Sequence, residues 1–113
     1  MSPEGAEAKY RVAELSFKKG DTKTAEKEIL DFSEKSSPHE YWIARSFILW
    51  ADIFAKKKDY FQAIQTLQSI IDFYEKKDDG ILEMATTKKA GFVKIQEANE
   101  QPLERDDVEI NIN

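Results

Sequence analysis

The feature that most constrains this chain is an internal repeat. Lys18-Lys19-Gly20-Asp21-Thr22-Lys23-Thr24-Ala25 aligns with Lys56-Lys57-Lys58-Asp59-Tyr60-Phe61-Gln62-Ala63, 38 residues further on. At the same offset Val12 meets Trp50, Ala13 meets Ala51, Ile29 meets Leu67 and Phe32 meets Ile70. Each copy is a helix-periodic segment, a turn and a second helix-periodic segment. Such a unit cannot bury its apolar face alone and stacks on a neighbour. The shared small residues have a physical reason. Ala13 and Ala51 let the first helix of each unit approach its partner closely, and Ala25 and Ala63 do so early in the second.

Periodicity predicts about five helices and an all-α fold. The first, over 4–19, has Ala6, Tyr10, Ala13 and Phe17 on one stripe and Ala8, Val12 and Leu15 on another. Gly20-Asp21 interrupts it, a C-terminal glycine followed by a cap. The second, over 22–35, has the single stripe Ala25, Ile29 and Phe32. Ser37-Pro38-His39-Glu40 reads as a capping box with proline at the first helical position. The helix it opens, over 38–57, is apolar on two sides: Ile43, Phe47, Trp50 and Phe54, then Trp42, Leu49 and Ile53. A helix so apolar is sandwiched between neighbours and forms the buried centre.

Asp59 and Gln62 signal the start of the next helix, whose stripe Tyr60, Ile64, Leu67, Ile71 and Tyr74 runs to about 77. A fifth helix over 81–98 carries Ile81, Ala85, Phe92 and Ile95, with Lys88 and Lys89 breaking the stripe. Nine of the 13 aromatic residues fall between Tyr41 and Tyr74, which again puts the core in helices three and four. The expected organisation is a helical domain over 1–98, with units at about 5–37 and 38–78, a capping helix at about 81–98, and a disordered acidic tail over 99–113.

The pattern resembles the tetratricopeptide repeat (TPR). Phe47, Trp50, Ala51, Phe54, Asp59-Tyr60, Ala63 and Leu67 match its signature in the second unit. The first unit departs from it: Lys9 and Ser16 stand where large apolar groups are usual. The spacing also exceeds the family's, through a longer segment around Ser36-Ser37-Pro38. The run from Ser37 to Leu49 looks like the last repeats of long bacterial envelope proteins. The resemblance implies a right-handed superhelical stack of antiparallel helices, an α-α solenoid fragment. It also suggests a periplasmic or cell-envelope setting. With two apolar stripes on the first helix, the chain reads as the C-terminal piece of a longer array, closed by helix five.

Composition excludes most chemistry. There is no cysteine and one histidine, so thiol catalysis, disulfides and zinc or histidine-based centres lack their residues. Four glycines and three prolines argue against a loop-rich or all-β architecture. Of the net charge of −5, the segment from Glu100 to Asn113 carries five acids and one base, so residues 1–99 are close to neutral. No basic stripe of the kind phosphate backbones require is present, and no nucleic-acid partner is expected. No apolar run approaches the roughly 20 residues of a bilayer span, so no membrane insertion by this segment is expected. His39 reads as a surface residue. Asp78-Asp79 and Asp106-Asp107 lack the alternating ligands of a calcium loop. Trp42 and Trp50 read as packing rather than as a sugar platform. No catalytic residue, metal or cofactor is expected.

What remains is a binding surface. In TPR proteins the first helix of each repeat lines a concave groove that takes peptide or protein segments. The matching positions are Tyr10, Glu14, Phe17 and Lys18 in the first unit, and Arg45, Ile48, Asp52 and Lys56 in the second. Arg45 and Lys56 would steer an acidic partner, with Tyr10, Phe17 and Ile48 as apolar anchors. The competing reading makes Phe17 and Ile48 core and the charges ordinary surface. The expected function is non-enzymatic protein–protein interaction. The rival is a structural or assembly role, capping a solenoid or self-associating through the first helix. A further alternative makes the acidic tail itself the occupant of the groove.

Overall fold

The computed structural model describes the backbone of residues 2–35 and 39–112 and, within these, side chains as far as Glu100 except that of Lys35. The fold is all-α, with no strand among the described residues. Five helices follow in order: α1 (Pro3–Lys18), α2 (Thr22–Lys35), α3 (Glu40–Lys56), α4 (Tyr60–Phe73) and α5 (Ile81–Ile112). α1 packs on α2, α3 on α4 and α4 on α5, while α3 also touches α1, α2 and α5.

The repeat seen in the sequence is reproduced bond for bond at the turns. After α1, the backbone N–H groups of Lys19, Gly20 and Asp21 donate to the carbonyls of Leu15, Phe17 and Ser16. At the same offset, Lys57, Lys58 and Asp59 donate to Ile53, Ala55 and Phe54. This wrapping satisfies the last carbonyls of each helix and requires a left-handed residue. Gly20 supplies it at φ 87°, and Lys58 supplies it at φ 65°. The acid then caps the next helix: Asp21 Oδ1 accepts from Thr24 N, and Asp59 Oδ1 accepts from Gln62 N, both at 3.1 Å. Lysine pays a steric penalty in the left-handed region that glycine does not. Replacing Lys58 by glycine is therefore expected to raise stability, by about 1 kcal/mol or several degrees in a thermal melt.

Three boundaries differ from the sequence expectation. α3 begins at Glu40 with His39 as its flanking residue, which makes no side-chain cap hydrogen bond. Ser37 and Pro38, on which the expected capping box rests, lie outside the described residues. α4 stops at Phe73 rather than near 77, because Tyr74 turns extended at φ −78°, ψ 121°. Its hydroxyl donates to the Asp79 carboxylate, which also accepts from the backbone N–H of Ile81 at 3.2 Å. This short bridge between the end of α4 and the start of α5 competes successfully with another helical turn. Finally, the α5 backbone continues past 98 to Ile112. The side chains of the acidic segment beyond Glu100 lie outside the described residues.

α3 joins two cores. One of its sides sends Ala44, Ile48 and Ala51 against Ala63, Leu67 and Ile70 of α4 and Ile81 and Ala85 of α5. The other sends Leu49 and Ile53 against Tyr10 and Ala13 of α1 and Ala25 and Ile29 of α2. Phe47 packs against both clusters. The alanines paired by the repeat, Ala13 with Ala51 and Ala25 with Ala63, are all buried. Ser46, the one buried polar residue among those described, donates to the Trp42 carbonyl at 2.9 Å. One departure of the first unit has a cause: Lys9 reaches across to Glu28 and Asp31 of α2, at 3.9 and 3.4 Å, and so holds the pair by charge.

Candidate functional site

Among the eight positions that resemblance selects, Tyr10 meets Arg45 and Phe17 meets Lys56 between α1 and α3, whereas Ile48 packs toward α4 and α5. Their environments differ sharply. Tyr10 and Ile48 are only 5% and 4% exposed and belong to the two cores. They offer no open anchor to a partner, because the apolar interior already uses them. Phe17 is half-buried, with the Lys56 ammonium 5.4 Å from its ring centre. Asp52 is bridged by Lys88 of α5, whose Nζ lies 3.0 Å from both carboxylate oxygens.

Arg45 is the most constrained of the set. Its guanidinium donates to the hydroxyls of Tyr41 at 2.9 Å and Tyr10 at 3.3 Å. It also lies 4.9, 5.8 and 5.9 Å from the ring centres of Tyr10, Tyr41 and Trp42. Such placement over ring faces is favourable where solvent is partly excluded. The Tyr10 hydroxyl in turn donates to Glu14 Oε2 at 3.1 Å, and Arg11 pairs with Glu14 at 3.1 Å and Glu7 at 3.4 Å. One network thus links α3 to α1 through alternating donors and acceptors.

Titration follows this wiring. Burial pushes the Tyr10 hydroxyl up, and the opposing pull of Arg45 does not cancel it. Burial opposes the Glu14 charge, yet hydrogen bonds from Arg11 and Tyr10 hold its carboxyl below the ordinary range. Burial also opposes the charge of Arg45, but the two tyrosine hydroxyls outweigh it and the guanidinium stays firmly protonated. Glu14 is thus neutralised by Arg11, whereas Arg45 is held by neutral hydroxyls and ring faces.

An open apolar surface lies elsewhere. A groove of about 660 Å³ runs between α3 and α4. Its α3 wall is Ile43, Ala44, Phe47, Trp50 and Phe54. The Trp50 ring is stacked between Phe47 and Phe54, at 5.9 and 5.6 Å with interplanar angles of 22° and 15°. Helical spacing aligns the three rings as a ladder along one face. The α4 wall presents Gln62, Thr66 and Ser69, ending at Phe73, which is 81% exposed. The α3 side of the groove is therefore aromatic, the α4 side mixes these polar groups with Ile70 and Phe73, and the charged lining residues among those described are Glu40 and Glu75.

The sequence pattern places this ladder on a buried stripe of α3, and the three rings do pack partly against the two cores while also lining the groove. Sequence reasoning missed Lys88, Tyr41 and Arg11 as partners of the selected positions. Arg11 was detectable from its spacing to Glu7 and Glu14, since residues three and four apart on a helix are neighbours. Lys88 had no local signal, because its partner is on another helix. No helix among the described residues is long and apolar enough to cross a membrane. Comparison with protein-family models, with curated proteins and with solved structures finds no match to this chain.

Proposed function

We propose that this chain is a non-enzymatic protein-interaction module built on TPR-like repeats, and that it takes a peptide or protein segment against the α3–α4 groove. The observation that carries this reading is the partly buried aromatic ladder Phe47–Trp50–Phe54 lining the groove, with the exposed Phe73 at the far wall. The bond-for-bond repetition of the turns at Gly20-Asp21 and Lys58-Asp59 supports the repeat architecture. The segment that fits is amphipathic, with apolar side chains on the ladder and polar groups toward Gln62, Thr66 and Ser69. From Ile43 to Phe54 the wall is about 16 Å long at 1.5 Å per residue, enough for roughly three helical turns of a partner.

The α1–α3 face is the weaker candidate, because Glu14, Arg45 and Asp52 already bond within the chain and Tyr10 and Ile48 are buried. A paired binding experiment separates the two. Phe73→Glu is expected to leave stability within about 0.5 kcal/mol, since the ring is solvated, and to remove capture of a partner from native extract. Lys56→Glu, equally well folded, is expected to retain it. Loss with Lys56→Glu and retention with Phe73→Glu would return the binding surface to the α1–α3 face.

A further inference from the structure

The second stripe of α1 packs on no other helix among the described residues. Ala6, Tyr10 and Ala13 turn inward, whereas Ala8, Val12 and Leu15 are exposed, Val12 at 48% and Leu15 at 53%. α1 contacts only α2 and α3, so this stripe faces outward at the end of the stack. Its composition is self-complementary when the helix is reversed. Glu4 stands four residues before Ala8, Lys19 stands four residues after Leu15, and Ala8 and Leu15 are seven residues apart, about two turns. The midpoint of both pairs falls between Arg11 and Val12.

We propose that this face is an isologous contact between two copies of the chain, in which their α1 helices pack antiparallel about a two-fold axis at Arg11–Val12. A two-fold contact requires that residue i meet j while j meets i. Here the large Leu15 of each copy meets the small Ala8 of the other, and the two Val12 side chains flank the axis, each level with Arg11 of the other copy. At the rims Glu4 of each copy faces Lys19 of the other. Both are exposed, and the acid lies in the first turn and the lysine at the C-cap, so antiparallel packing also opposes the helix dipoles favourably. The charge nearest the axis does not interfere. Arg11 is paired with Glu7 and Glu14, and its guanidinium lies 5.3 and 5.6 Å from the rings of Tyr10 and Trp42, on the flank toward α3. The contact is small, so the dimer is weak and concentration-dependent.

The test is sedimentation velocity on the full chain from about 10 μM to about 1 mM, the range in which a small interface associates. The parent is expected to shift toward dimer mass with concentration. Leu15→Glu, with unchanged helical circular dichroism, is expected to weaken association at least about tenfold by placing a carboxylate against Ala8. Glu4→Lys and Lys19→Glu are each expected to weaken it roughly threefold to tenfold, and the double exchange to restore it. A monomer at every concentration overturns the proposal, as does a dimer indifferent to Leu15→Glu. A dimer that Leu15→Glu disrupts but the double exchange fails to restore overturns the antiparallel register.

Discussion

Replacing Leu67 with alanine is expected to lower the unfolding free energy by about 2–5 kcal/mol, the largest single-residue effect in this fold. The side chain is fully buried in the cluster that holds α3, α4 and α5 together. Its buried neighbours include Ala44, Ala51, Ala63 and Ala85. Alanines have no rotamer with which to reach into a void, so the space left by three missing carbons stays open. The cavity contribution therefore adds to the lost transfer free energy. For a domain of this size such a loss corresponds to a fall in melting temperature on the order of 10–20 °C. Leu30→Ala, on the exposed side of α2, is the matched control and is expected to change stability by less than about 1 kcal/mol. Chemical denaturation of both variants reads the contrast directly.

Reversing Arg45 to glutamate is expected to cost about 2–3 kcal/mol. The variant loses two hydrogen bonds to tyrosine hydroxyls and a cation held near three aromatic rings. It also sets a new carboxylate beside the Tyr10 hydroxyl, which already donates to Glu14. Arg45→Lys is expected to recover only part of the loss, because an ammonium on a single stem cannot fork between Tyr41 and Tyr10 as guanidinium does. The measurement is a thermal melt of both variants beside Lys56→Glu, whose exposed side chain predicts a near-neutral effect. Sequence resemblance grouped Arg45 and Lys56 as equivalent binding residues; the structure makes the first structural and leaves the second at the surface. An unchanged melt for Arg45→Glu would show that the α1–α3 network adds nothing to stability.

Much of the fold was legible in the sequence because the relevant signals are local and periodic. The two apolar sides of α3 identified it as the central helix, and the 38-residue offset located both turns. The same alignment placed Lys58 opposite Gly20, which already marked a lysine in a glycine conformation. What stayed hidden depends on distance in space. Tyr74 satisfies the helical period, yet its hydroxyl finds Asp79 and α4 ends early. Lys88 and Lys89 interrupt the apolar stripe of α5, yet they bond Asp52 of α3 and Gln68 of α4. Periodicity shows that Phe47, Trp50 and Phe54 share a face. It does not show how far neighbours cover that face, and here the rings pack partly against both cores while still lining a groove.

α3 unites two helix pairs into one structure and supplies the aromatic wall of the groove. Native-state hydrogen exchange tests this most directly. The amides of Ile48–Ile53 are expected to exchange only through global unfolding, and the buried parts of α2 and α4 are expected to share that same free energy, because each packs against α3. Slow exchange confined to α4 and α5, with α1 and α2 opening independently at much lower free energy, would contradict it: the chain would then be two weakly joined hairpins rather than a stack organised around one central helix.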